Sequence, residues 1–151
     1  MRSDDGFIFF RYATNVLEGH GVVWNPGESA VEGYSSPLWL ALLIIGGGLG
    51  FPIPMVGKVL GIAFGALSLW FLHRLFKLLG HSAVSLWLTL GAALTAGLHY
   101  WSPAGLETSL YLLIWICSII ALDRPRAIWT VALLGVVRPE GPFLVVCWCI
   151  I

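Results

Sequence analysis

Charge is what this chain has least of. Asp, Glu, Lys and Arg make up 11% of its 151 residues, against about 25% in an ordinary soluble domain. The deficit argues against a free-standing soluble fold. Net charge is zero, which removes the basic footprint that nucleic acid would require. Cysteine is sparse as well. Cys117, Cys147 and Cys149 lie in apolar runs without metal-ligand spacing, where a free thiol behaves as a small hydrophobe. His20, His73, His81 and His99 show no ligand spacing either. Asp4 and Asp5 stand where a secretory leader would place its basic and apolar regions, so none is expected.

What the chain does have is apolar length. Hydrophobic residues make up 58% and the mean hydropathy is +0.89. They fall in unbroken blocks, not in a 3.6-residue stripe. An all-α, multi-pass transmembrane helical bundle is expected, with spans at about 55–76, 83–101, 106–122 and 127–151. The last block is interrupted by Arg138, Pro139, Glu140 and Gly141. Residues 1–54 are read as a first extracytoplasmic loop. Within it, Leu38 to Gly50 is only about 13 residues, roughly 20 Å as a helix against a hydrocarbon core of ~30 Å. Gly46, Gly47 and Gly48 weaken it further. It is therefore read as re-entrant or juxtamembrane, with a full crossing as the other option.

Parity sets the sides. His73, Arg74 and Lys77 end the first long block, and Asp123, Arg124 and Arg126 follow two spans later. An even number of crossings places both clusters on one side, which the positive-inside rule makes cytoplasmic. The turn from Tyr100 to Thr108 is then outside. The polar N-terminal stretch shares that side if Leu38 to Gly50 does not cross.

That stretch is the only long polar one. Residues 5–18 fit a helix capped by Ser3, Asp4 or Asp5, with Phe7, Phe10, Ala13 and Leu17 at helical spacing. It is too short to span, so an interfacial helix is expected. Gly19 and Gly21 can end it in a left-handed conformation. Asn25, Pro26 and Gly27 mark a turn, and Glu28 to Ser36 form a loop that ends at Pro37, a favourable first helical residue.

Five places could carry chemistry. Asp4 and Asp5 are either a helix cap or a catalytic carboxylate pair, able to accept a proton from an attacking hydroxyl or to hold a divalent cation through oxygen. Glu107 either complements a helix dipole or lends a carboxylate to the outer mouth of the bundle. Arg138 and Glu140 interrupt an apolar block, where a charge near a helix centre costs about 2.5–3.5 kcal/mol on insertion scales. They form a mutually satisfied structural pair in a kinked helix, a terminus that simply lies at the interface, or a ligand-facing pair, in which Arg138 suits a phosphate. Arg11 is a further candidate for that phosphate. Tyr100 and Trp101, like Trp24, Tyr34 and Trp39, read as interfacial anchors, with a sugar-stacking surface as the other reading of the first two.

The run from Asp4 to Trp39, DDGFIFFRYATNVLEGHGVVWNPGESAVEGYSSPLW, resembles a signature of bacterial GT-C-type membrane glycosyltransferases, and within them the mycobacterial-type arabinofuranosyltransferases. Gly105 to Thr108 (GLET) and Arg138 to Gly141 (RPEG) resemble two further motifs of that family, in the same order. The resemblance implies an inverting transferase in the bacterial inner membrane. It would use a polyprenyl-phosphate sugar and glycosylate a cell-envelope glycan or lipid on the extracytoplasmic face. Asp4 and Asp5 match the family's first-loop aspartates, and Glu107 its second-loop acid. The family carries a transmembrane helix before the aspartates and more spans after RPEG, so a fragment truncated at both ends is expected. The alternatives are a transporter or lipid-binding membrane protein, or an inactive transferase fragment.

Overall fold

The computed structural model describes residues 4–29, 31, 33–95, 103–121, 127–138 and 141. Among the described residues the chain is all helix and turn. The helices are α1 (Asp4–Leu17), α2 (Pro37–Gly48), α3 (Ile53–Leu78), α4 (Ser85–Ala93), α5 (Thr108–Ile120) and α6 (Ala127–Val137).

α1 ends where its glycine allows. Gly19 adopts φ +83°. Its N–H donates to Val16 O, and that of His20 donates to Asn15 O, closing the helix with two reversed bonds. The buried face differs from the expected stripe. Phe9, Tyr12 and Ala13 are buried, whereas Phe7 and Leu17 are exposed. The reason is the loop that follows. Tyr12 donates its hydroxyl to Val31 O and accepts from Gly33 N–H, which draws the loop over that side of the helix.

α2 begins at Pro37, with Ser36 as its cap accepting from Trp39 N–H. Gly46 and Gly47, read from sequence as weak points, are points of close approach. A Cβ on Gly46 would stand 2.5 Å from Val56 Cγ1, and one on Gly47 2.5 Å from Leu17 Cδ1. α3 and α1 pack through the space those side chains would fill.

α3 has 26 residues, about 39 Å at 1.5 Å per residue. Among the described residues it is the helix long and apolar enough to cross a membrane; α2, α5 and α6 are apolar but shorter. Gly57, Gly61, Gly65 and Ser68 form a buried stripe of small residues, the pattern that lets helix backbones approach closely. Ser68 Oγ lies 2.7 Å from Phe64 O and 3.3 Å from Ser109 O, tying α3 to α5. Gly105 lies against Gly57 while Ser109 lies against Ser68, so the segment leading into α5 runs in the same direction as α3.

α4 is shorter than the block from which it was expected. It is helical over nine residues and closes at Ala93, where Thr95 bonds back to Ala92 O through both its N–H and its hydroxyl. The core gathers Phe9 and Tyr12 of α1, Trp39 and Leu43 of α2, Leu110 and Ile114 of α5, and Leu134 and Val137 of α6. Much of α3 and α4 presents apolar side chains outward, including Met55, Val59, Ile62, Leu86 and Trp87.

Candidate functional site

Three helices clasp one turn. Gly105, just before α5, has φ +79°, a conformation that costs other L-residues roughly 1–2 kcal/mol. Phe10 of α1 presses on it, so that a Cβ there would stand 2.8 Å from the ring. Trp39 of α2 donates its Nε1–H to Gly105 O at 3.1 Å. Gly57 of α3 and Gly6 of α1 leave the remaining room: a Cβ on Gly6 would meet Ala104 O at 2.9 Å. The turn is therefore fixed in position, and so is the residue after next, Glu107.

Glu107 is buried at 4% exposure. Its Oε1 lies 3.7 Å from Arg138 Nε and 3.5 Å from Ser35 Oγ. Its Oε2 is buried without a hydrogen-bond partner among the described residues. Arg138 follows the last residue of α6, with its guanidinium carbon 5.4 Å from the centre of the Tyr111 ring. Glu107, Arg138 and Ser35 line a cleft of about 450 Å³, with Ile8 and Phe9 of α1 and Gly33 of the loop as further walls. The guanidinium can bind an anion in the cleft, and the carboxylate beside it orients the guanidinium.

A second cavity adjoins the first. An apolar groove of about 640 Å³ runs between α3, α4 and α5, lined by residues that include Leu72, Ala92, Leu112, Trp115 and Ile119. Thr108 lines both the groove and the cleft.

The residues singled out from sequence divide into four groups. Glu107 and Arg138 are brought together across 31 residues of chain. Arg11 is placed elsewhere and does not line the cleft. Its Nε–H donates to Trp24 O at 2.8 Å and its Nη2–H to Asn25 Oδ1 at 2.5 Å, and the guanidinium lies 4.4 Å over the Trp24 ring. Arg11 holds the loop after α1. Asp4 and Asp5 open α1, one turn ahead of the cleft-lining Ile8 and Phe9; their side chains lie outside the described structure. Tyr100, Trp101 and Glu140 lie outside the described residues altogether.

A divalent cation was one reading of Asp4 and Asp5. Among the described residues no cluster of three His, Cys, Asp or Glu could hold a metal. The cleft's described carboxylate stands beside a guanidinium, whose charge disfavours a cation there.

Sequence reasoning missed three parts of the site. Trp39, expected as an interfacial anchor, is fully buried and bonds the turn. Trp24 and Tyr34 are likewise engaged internally, both packing against the Tyr12 ring. Ser35 and Tyr111 carried no signal, because their roles depend on partners far along the chain.

No family model matches the chain, and no solved structure matches it. Over 61 residues, 40% of the chain, it is 41% identical to the terminal β-(1→2)-arabinofuranosyltransferase of Mycobacterium tuberculosis (strain ATCC 25618 / H37Rv). The matched stretch spans 10% of that protein's length. The chain is thus a distant partial homologue of an arabinofuranosyltransferase, which supports a distant relationship to the GT-C-type membrane glycosyltransferases at most.

Proposed function

We propose that this chain forms part of a membrane glycosyltransferase that moves a sugar from a polyprenyl-phosphate donor to a cell-envelope acceptor on the extracytoplasmic face. The observation that carries the reading is the polar cleft of Glu107 and Arg138 opening beside an apolar groove, with Thr108 shared between them. A lipid phosphate has that shape: an anion for Arg138 and a hydrocarbon tail for the groove. The partial identity to an arabinofuranosyltransferase agrees with the chemistry.

In this mechanism the acceptor hydroxyl attacks the anomeric carbon and a new C–O bond forms. The bond from that carbon to the phosphate oxygen breaks, and polyprenyl phosphate leaves with the electron pair. One displacement inverts the anomeric centre. A carboxylate of Asp4 or Asp5 takes the hydroxyl proton. Arg138 faces the charge that grows on the departing phosphate. Glu107 holds the guanidinium in place, and Arg11 serves the loop.

The test is transfer from polyprenyl-phosphoryl arabinofuranose, in membranes carrying the protein at its natural length. D4N/D5N removes both bases and should abolish transfer while membrane insertion continues. Turnover equal to that of the unaltered protein would overturn the assignment. Retained donor binding with no transfer in any variant, the unaltered protein included, would favour a lipid-binding membrane protein instead.

A further inference from the structure

A basic pocket lies far from the cleft, at the other end of α3. Trp70, His73, Arg74, Lys77 and Leu78 recur every three or four residues and form its helical wall, and Ser82 closes it from the turn that follows. Its volume is about 460 Å³, and no carboxylate lines it among the described residues. Arg74 and Lys77 are exposed, and Trp70 is 53% exposed. The Arg74 guanidinium carbon stands 5.4 Å from the centre of the Trp70 ring, which holds it at the pocket mouth. His73 is half-buried, with its Nδ1 fully enclosed and without a hydrogen-bond partner among the described residues.

Lys77 in the last turn also complements the helix dipole. That role needs no cavity, no enclosed imidazole nitrogen and no serine from the following turn. The pocket sets the Arg74 and Lys77 cations and Ser82 around one space, with His73 in its wall.

Position names the ligand. Arg74 is 21 residues from the start of α3 at Ile53, about 32 Å at 1.5 Å per residue. A hydrocarbon core is ~30 Å thick. Where α3 crosses, Arg74 and Lys77 stand at headgroup depth, with Trp70 and the exposed Leu78 and Leu79 beside them. Basic pockets at this level suit anionic headgroups, each cation near the surface adding about 1 kcal/mol. We propose that Arg74 and Lys77, with Ser82 beside them, form a site for the phosphate of an anionic phospholipid in the leaflet at the C-terminal end of α3.

The experiment uses the full chain in phosphatidylcholine nanodiscs doped with phosphatidylglycerol, with native mass spectrometry reading the lipid retained per chain. R74Q/K77Q should weaken phosphatidylglycerol retention about thirtyfold, the equivalent of ~2 kcal/mol. K58Q removes an exposed cation near the other end of α3 and should change nothing. R74K/K77R keeps both charges and should retain the lipid, with helix content by circular dichroism confirming the fold. Inorganic phosphate should fail to displace it. Unchanged retention in R74Q/K77Q overturns the site. So does an equal loss in K58Q, which would mean diffuse attraction, or ready displacement by inorganic phosphate, which would mean a small-anion site without lipid.

Discussion

At the scale of single residues, Gly105 and Trp39 decide where Glu107 stands. G105A meets two obstacles, the left-handed backbone at roughly 1–2 kcal/mol and the overlap with Phe10 at about 1–3 kcal/mol. Thermal unfolding in detergent should register both. Pairing G105A with F10L, which removes the Cζ atom in the way, should recover the second part alone; full recovery would mean that the backbone conformation carries no cost. W39F keeps most of the packing but removes the donor to Gly105 O. It should destabilise by about 1–3 kcal/mol, the penalty for a buried carbonyl left without its partner. An unchanged melting temperature would deny that bond its role. None of this was visible in sequence. Glu107 and Arg138 stood out because charge is rare in apolar blocks, but nothing in the order of residues says that Trp39 reaches Gly105.

At the scale of elements, the helices were largely legible and their partners were not. Apolar blocks bounded by glycine and proline announce α2 and α3, and a polar cap with a closing glycine announces α1, because unsatisfied backbone at a helix end needs a cap or a left-handed residue. The close of α4 at Ala93 was not announced, since Thr95 reads as ordinary in an apolar run. The stripe of Gly57, Gly61, Gly65 and Ser68 was written in the sequence as small residues at helical spacing, yet only the packing on α5 gives it meaning. Arg11, a candidate for a phosphate from sequence, bonds the loop after α1 through Trp24 O and Asn25 Oδ1. R11K retains the charge but not the planar fork that reaches Trp24 O and Asn25 Oδ1 together. Losing about 1 kcal/mol of hydrogen bonding should raise amide exchange in residues 22–25 about fivefold, while α1 stays protected. Exchange at the native rate would show that the loop holds without Arg11.

At the scale of the whole molecule, the question is which end of α3 faces which compartment. The polar cleft belongs with the Gly105 turn, near the first half of α3, and the basic pocket lies at its far end. Single cysteines placed at Ser29 and His81, both exposed, in a background without native cysteines, separate the two sides. S29C should react with an impermeant thiol reagent in intact cells, and H81C only after permeabilisation. Equal labelling of both would mean either that α3 does not cross or that α2 crosses as well, which returns the chain to the same side. Ser109 is unsuited to the purpose because it is buried against Ser68.

Thr108 is a wall shared by a wet cleft and an oily groove, and that has a kinetic consequence. A molecule lying across it would arrive sideways, by diffusion within the plane of the bilayer. Under the proposed transferase function, the donor would then be sensed as a density per unit of surface. Diluting the donor with inert lipid, at a constant amount per volume, would slow the reaction; diluting donor-bearing vesicles with buffer would not.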